Sequence, residues 1–149
     1  MLHSKPPSGV FRMHQPLRAR PLHDPPRVLV AEDDPDMRAL IVEALAKEGY
    51  APEEAKDGGR LLVNLTAQHQ HGDTDLDLLV SDIRMPVVSG LDIVEAIRRV
   101  QWTIPVILMT AFGDAETRRR AESLGAVLLD KPFALEELVA TVRRLMPRA

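Results

Sequence analysis

The feature that most constrains this chain is a series of short apolar runs, each followed by a segment with helical spacing. In the first unit, the run 28–31 (Val-Leu-Val-Ala) precedes apolar residues that recur at helical spacing from Met37 to Leu45. A short apolar run without polar alternation is typical of a strand that is buried on both faces, as in a parallel sheet covered by helices. The pattern therefore predicts an α/β chain.

The strand-then-helix unit occurs five times after Arg27. The predicted strands cover residues 28–31, 50–55, 76–81, 105–109 and 126–129. The predicted helices cover residues 35–48, 59–68, 91–100, 114–124 and 135–146. Five such units in about 120 residues favour a doubly wound sheet over a barrel, which needs about 250 residues. We predict a five-stranded, flavodoxin-like parallel sheet with strand order 2-1-3-4-5.

Residues 1–26 differ in composition from the rest of the chain. They hold six prolines and four basic residues against one acidic residue, so this segment carries +3 and the remainder −6 of the net charge of −3. High proline density without periodicity is typical of disorder. We predict a disordered basic tail over 1–26 and one domain over 27–149. A basic arm that contacts acidic partners and a true start at Met13 are the alternatives.

Composition excludes several classes of protein. The chain has no cysteine, which rules out disulfides, thiol catalysis and thiolate zinc sites. The longest purely apolar runs are far shorter than the roughly 20 residues of a membrane span, so no membrane partner is expected. The negative net charge argues against nucleic acid as a partner of the whole chain. The five histidines fall in predicted loops, where we do not expect them to bind metal.

Polar residues collect where the predicted strands end. Ligands of open α/β sheets bind outside the carboxyl ends of the strands, and strands one and three should be neighbours there. The residues at these ends are Glu32, Asp33 and Asp34 after strand one, Asp82 after strand three, Thr110 after strand four, and Asp130 and Lys131 after strand five. Converging carboxylates, a hydroxyl and an ammonium group suit Mg²⁺ and phosphoryl transfer onto an aspartate. Asp34 before Pro35 is better explained as a helix N-cap.

Four motifs in this order resemble the receiver domains of two-component response regulators. The segment 28–34 (VLVAEDD) looks like their first strand and acidic pair, and 82–86 (DIRMP), with Gly90 beyond, looks like their phosphoacceptor segment. Residues 110–112 (TAF) are similar to their switch segment, and 131–133 (KPF) to their lysine and following proline. The likeness covers about residues 27–147.

The resemblance implies a role for each matching residue. Asp82 would be the phosphoacceptor, and Thr110 and Lys131 would contact the phosphoryl oxygens. The metal ligands would be Glu32, Asp33 and Asp82, with the backbone carbonyl of Arg84, and the metal would be Mg²⁺. The Lys131–Pro132 peptide bond would be cis. Leu128 departs from the family, which usually has an aromatic residue three positions before the lysine, and puts its aromatic switch in doubt.

The resemblance also implies a function and partners. We expect a stand-alone, cytoplasmic response regulator that accepts a phosphoryl group from a sensor histidine kinase or phosphotransfer protein and is not an enzyme. Only three residues follow the last predicted helix, so we expect output through an unknown downstream protein or phosphorelay, without direct contact to nucleic acid. The alternatives are a receiver from a longer transcription factor and a haloacid-dehalogenase-like phosphatase. The phosphatase requires an Asp-x-Asp-x-Thr/Val pattern, and the segment 34–37 lacks its last residue.

The final expectation concerns Arg84 and Phe112, which follow Asp82 and Thr110 by two residues each. Because the strand ends converge, both side chains should stand at the mouth of the site. We expect them to shield a phosphoryl group from water rather than to assist its hydrolysis.

Overall fold

A computed structural model of the protein describes residues 21–70 and 76–147. Over these residues, strands and helices alternate as the sequence predicts, with ends that differ by one or two residues. The strands are β1 (Arg27–Ala31), β2 (Ala51–Ala55), β3 (Leu78–Asp82), β4 (Val106–Thr110) and β5 (Val127–Asp130). The helices are α1 (Pro35–Lys47), α2 (Gly58–Gln70), α3 (Gly90–Arg99), α4 (Ala115–Ser123) and α5 (Leu135–Leu145).

The five strands form one parallel sheet in the order β2-β1-β3-β4-β5. The predicted fold class, a doubly wound flavodoxin-like α/β sheet, is therefore confirmed. Strand β2 lies at the edge of the sheet, which explains its weak sequence pattern. An edge strand tolerates Pro52, because one side of its backbone needs no ladder partner, and it tolerates the acidic Glu53 and Glu54.

The sheet separates two apolar clusters. One cluster combines residues of β1, β3 and β4 with the buried faces of α1 and α5, which contribute Ile41, Leu45, Leu138 and Val142. The other packs α2, α3 and α4 on the opposite face, through residues such as Leu61, Leu65, Ile93 and Ala121. Alternate residues of β1 point into different clusters, so the strand is buried on both sides, as its unbroken apolar run indicates.

Three predicted strand ends need correction, because β3, β4 and β5 extend through Asp82, Thr110 and Asp130. The ladder pairs Asp82 with Met109 and Thr110 with Asp130, so these polar residues are the last members of their strands rather than loop residues. The polar side chains are tolerated inside the strands because the carboxyl edge of the sheet opens into the cleft where ligands of this fold class bind.

The segment just before β1 also contacts the domain. Pro26 is buried, Leu22 packs against the cluster under α1 and α5, and His23 binds the buried carboxylate of Asp77. The backbone N–H of Arg27 donates to the same carboxylate at 2.8 Å. Leu22, His23 and Pro26 belong to the segment 1–26 that the sequence predicts to be a disordered tail, so contacts with the domain begin within that segment. The expected disorder of residues 1–20 lies outside the described residues.

The prediction that the histidines lie in loops is wrong for His69. This residue belongs to α2, which continues two residues beyond its predicted end, and its ring stacks on Trp102 with 5.7 Å between ring centroids. His3, His14 and His71 lie outside the described residues. No helix in the described part of the chain has the length and apolar character that crossing a membrane requires.

Candidate functional site

Three carboxylates meet at the carboxyl edge of the sheet, as the sequence predicts. Glu32 and Asp33 follow β1, and Asp82 ends the neighbouring β3. One carboxylate oxygen from each lies within 4.8 Å of the others. Glu32 and Asp82 are buried, whereas Asp33 is exposed. Hard oxygen donors at this spacing fit a divalent cation such as Mg²⁺.

Lys131 supplies the positive charge of this centre. Its Nζ donates hydrogen bonds to Glu32 Oε1 at 2.8 Å and to Asp82 Oδ2 at 3.2 Å. Burial by itself lowers the pKa of Lys131, but the hydrogen bond to Glu32 and the charge of Asp82 outweigh it and raise the pKa above its usual 10.5. The ammonium group is therefore charged at neutral pH and lies against the predicted phosphoacceptor.

Asp33 stands at the solvent edge of the cluster. Desolvation at the edge of the cleft and a hydrogen bond shared with Glu32 raise the pKa of Asp33. A cation at this position would favour the ionised form of Asp33.

Thr110 lies at the same edge and is buried. Its hydroxyl oxygen accepts a hydrogen bond from the backbone N–H of Phe112 at 3.0 Å, and its carbonyl accepts from the backbone N–H of Lys131 at 2.7 Å. The hydroxyl is thus engaged with its own loop, while the backbone of Thr110 is joined to that of Lys131. The contact of the Thr110 and Lys131 side chains with phosphoryl oxygens stays a prediction.

Asp34 acts as the N-cap of α1, which confirms the prediction. Its side chain accepts a hydrogen bond from the backbone N–H of Asp36 at 3.0 Å, and Pro35 occupies the first helical position. Arg38, which sequence reasoning missed, donates from Nη1 to the carbonyl of Glu32 at 2.7 Å and so fixes the backbone beside the acidic cluster. The partner is a backbone carbonyl that precedes the helix, so no side-chain spacing within α1 signals this contact.

Arg84 and Phe112 meet over the loops that follow β3 and β4. The guanidinium carbon of Arg84 lies 4.9 Å from the centroid of the Phe112 ring, a cation–π contact. Both residues are exposed, and 65% of Phe112 is accessible to solvent. The contact joins the two predicted shielding residues to each other. The metal-binding role of the Arg84 carbonyl stays a prediction.

Two features near Lys131 bear on the resemblance: the peptide bond that follows it and the residue three positions before it. The Lys131–Pro132 peptide bond is cis, as expected. Leu128 pairs with Leu108 in the sheet and packs against the cluster under α2, α3 and α4. The position that is usually aromatic is thus a partly buried aliphatic residue in this chain.

Two arginine contacts at the ends of α3 and α4 were also missed. Arg98 donates hydrogen bonds of 2.8–2.9 Å to the carbonyls of Trp102, Ile104 and Leu124, and burial lowers the pKa of Arg98 to about 10. Arg118 donates to both carboxylate oxygens of Asp130 at 2.6 and 2.7 Å. Leu124 and Asp130 lie 26 and 12 residues from their arginine partners, and the nearer partners of Arg98 are backbone carbonyls, so no side-chain pattern signals these contacts.

Comparison with known proteins identifies the family of the chain. The family model described as the response regulator receiver domain matches residues 28–143. The transcriptional regulatory protein PrrA of Mycobacterium leprae is 38% identical over 124 residues, which are 83% of this chain and 51% of that protein. The chain thus spans about half the length of the curated relatives it matches.

Solved structures give the same result. The receiver domain of the Francisella response regulator 1452 is 28% identical, with a TM-score of 0.73 over 81% of this chain and 96% of that one. The response regulator protein TrrA of Thermotoga maritima, solved in complex with Mg²⁺-BeF, is 32% identical, with a TM-score of 0.67 over 80% of this chain and 97% of that one. Together with the fold and the four motifs, these matches show that the chain belongs to the family of response-regulator receiver domains.

Proposed function

We propose that the chain accepts one phosphoryl group on Asp82 from a phosphohistidine of a histidine kinase or phosphotransfer protein. The observation that carries the proposal is the contact of Lys131 with both Asp82 and Glu32 inside a cluster of three carboxylates. In the transfer, a carboxylate oxygen of Asp82 forms a bond to phosphorus while the P–N bond of the donor breaks. The lysine ammonium would neutralise negative charge on the phosphoryl oxygens.

The donor set also supports a role for Mg²⁺. Glu32, Asp33 and Asp82, with the carbonyl of Arg84, would hold the ion, which when bound supplies positive charge for the oxygens of the transferring group. The Thermotoga TrrA structure, a complex with Mg²⁺-BeF, supports the same assignment. Within the chain itself, Lys131 orients the carboxylate of Asp82, and the sheet fixes the backbone of both residues.

After transfer, Thr110 would turn from its own loop toward the phosphoryl group. Its hydroxyl oxygen accepts from the Phe112 amide, so the proton of this hydroxyl is available to donate to an oxyanion. The loop after β4 would move with it and change the surface that α4 presents to a downstream protein. We propose a cytoplasmic protein that carries one phosphoryl group and loses it slowly, rather than an enzyme that turns over an external substrate.

A phosphorylation experiment tests this proposal. The chain is incubated with Mg²⁺ and phosphoramidate, which contains a P–N bond, and separately with purified phosphorylated kinases, each timed over seconds. Intact mass should rise by one phosphoryl group in the parent and in the control Glu122→Gln, but not in Asp82→Asn. Incorporation that persists in Asp82→Asn would contradict the proposal. Release of many phosphates per chain from a substrate would support the phosphatase alternative instead.

A role in transcription is the second candidate. The observation that favours it is that curated relatives are named transcriptional regulatory proteins and are about twice the length that the chain matches. In the stand-alone alternative, output passes through protein contact or phosphorelay, without direct contact to nucleic acid. An antibody against this chain separates the two, because it would detect either a 16.6 kDa protein or a clearly larger one in the native host.

A further inference from the structure

One arginine of α4 links the two chain segments that carry Thr110 and Lys131. Arg118 donates from Nε to the carbonyl of Gly113 at 2.9 Å, and from Nη2 to the two carboxylate oxygens of Asp130 at 2.6 and 2.7 Å. Gly113 lies three residues after Thr110, and Asp130 directly precedes Lys131. A single guanidinium group therefore bridges the loop after β4 and the end of β5.

The close approach depends on the absence of a side chain at Gly113. A Cβ atom at this position would lie 2.6 Å from Asp130 Oδ1 and 2.7 Å from Arg118 Nη2, closer than side-chain atoms pack. A side chain at this position would therefore displace the ends of the Arg118 and Asp130 side chains from their present contact. The three residues form one unit, which we name the Arg118 link.

Helix α4 has little apolar surface to hold it in place. Ala121 is the buried residue of this helix. Arg120 Nη2 donates to Asp92 Oδ1 at 2.8 Å and to Glu95 Oε1 at 3.4 Å, which ties α4 to α3. Ion pairs thus supply much of the attachment of α4, to the end of β5 through Arg118 and to α3 through Arg120. A segment held in this way changes position at lower cost than one held by a large apolar face.

We propose that Arg118 is a positioning residue whose link holds the loop after β4 in its unphosphorylated arrangement and so limits how readily Thr110 turns toward Asp82. The inference rests on the proposed function. In the arrangement described, the Thr110 hydroxyl accepts from the Phe112 amide. For this hydroxyl to donate its proton to a phosphoryl oxygen on Asp82, Thr110 would move together with its loop, and the link at Gly113 opposes that movement.

The test combines ligand binding with the variants Arg118→Met, Asp130→Asn and their double variant. The probe is beryllofluoride with Mg²⁺, which mimics a phosphoryl group on an aspartate, and its affinity is measured by calorimetry. Each single variant should bind it about two- to fivefold more tightly, the range for an exposed ion pair. The double variant should bind no more tightly than the singles, because both remove the same link. Arg119→Met is the matched control, since Arg119 forms no ion pair within the described residues.

A second readout uses the protein without any ligand. The amide groups of Phe112, Asp114 and Thr117 are hydrogen-bonded within the loop and the first turn of α4. Their hydrogen exchange should be faster in Arg118→Met and Asp130→Asn, should be unchanged in Arg119→Met, and should return partway in the conservative variant Arg118→Lys.

The outcomes separate the link from the proposed function. A parent protein that does not bind beryllofluoride with Mg²⁺ would refute the proposed function. A parent that binds, together with link variants that bind equally or more weakly, would overturn the role of Arg118. Additive effects in the double variant, or loop exchange that the variants leave unchanged, would overturn it as well.

Discussion

Removing the contact between Arg84 and Phe112 should shorten the lifetime of a phosphoryl group on Asp82. Hydrolysis requires a water molecule in line with phosphorus. The guanidinium carbon of Arg84 lies 4.9 Å from the Phe112 ring centroid, and this contact joins the loops that follow Asp82 and Thr110. A water molecule would reach the phosphoryl group more often when the two side chains separate.

The magnitude follows from the strength of the contact. An exposed cation–π pair contributes about 0.5–1 kcal/mol. If separation of the pair precedes attack by water, losing this energy raises the rate of hydrolysis by a factor of about two to five. Phe112→Leu, which keeps apolar bulk but removes the aromatic face, should show this increase. The double variant Arg84→Asn, Phe112→Glu should decay faster still, because both introduced side chains can hold water by hydrogen bonds.

The assay follows the decay of phosphorylated protein after the donor has been removed. The matched control is the double variant Arg99→Asn, Val63→Glu, which changes an exposed arginine and an exposed apolar residue on other elements. Equal or slower decay in the Arg84→Asn, Phe112→Glu variant would refute the shielding role. The assignment of the receiver domain would stand in that case, because it depends on other residues.

Three further predictions concern the metal site and the stability of the fold. Calorimetry on Asp33→Ala should show weaker Mg²⁺ binding, and unchanged affinity would remove Asp33 from the site. Arg98→Met should lower the free energy of unfolding by about 2–4 kcal/mol in urea titrations, because three carbonyls lose a charged donor. Asp77→Asn should cost about 1–3 kcal/mol at pH 7. Burial raises the pKa of Asp77, but hydrogen bonds from Arg27 and His23 outweigh it and hold the pKa below 3.8. The parent should therefore lose this stabilisation only below about pH 4 as Asp77 takes up a proton, so the midpoints of the parent and Asp77→Asn should converge in acid.

The sheet was predictable because its strands carry a local signal. Buried parallel strands appear as unbroken apolar runs, and three of the described helices begin after a residue that prefers the N-cap, namely Asp34, Ser89 and Asp114. The topology of an open α/β sheet then brings the ends of β1 and β3 together, so the meeting of Glu32, Asp33 and Asp82 follows from the fold class. Strand ends were less predictable, since a polar residue such as Asp82 can continue a ladder at the open edge of the sheet.

Contacts between distant side chains could not be predicted in this way. His23 and Asp77 lie 54 residues apart, and Arg118 and Asp130 belong to a helix and a strand whose relative positions depend on packing. Charged residues occur at so many surface positions that their pairing partners have no sequence signature. Arg98 donates to backbone carbonyls, which every residue carries, so its sequence position does not distinguish it from a solvated arginine near the end of a helix.

The charges of the site predict how Lys131 would respond to a phosphoryl group on Asp82. Three carboxylates face one ammonium group, so the centre has an excess of negative charge, and Lys131 divides its hydrogen bonds between Glu32 and Asp82. A phosphoryl group on Asp82 adds oxygens that compete for the same donor. Lys131 would then give up part of its contact with Glu32.

This shift has a short physical route to α4. The backbone N–H of Lys131 donates to the carbonyl of Thr110 at 2.7 Å, and the preceding residue, Asp130, is held by Arg118. A displacement of Lys131 therefore acts on the strand that carries Thr110 and on the ion pair that anchors α4. Two sites are coupled when a structural element between them has two arrangements and each site changes the equilibrium between those arrangements. We propose the loop from Ala111 to Asp114 as that element, because Thr110 holds one end of it and the contact of Arg118 with Gly113 holds the other.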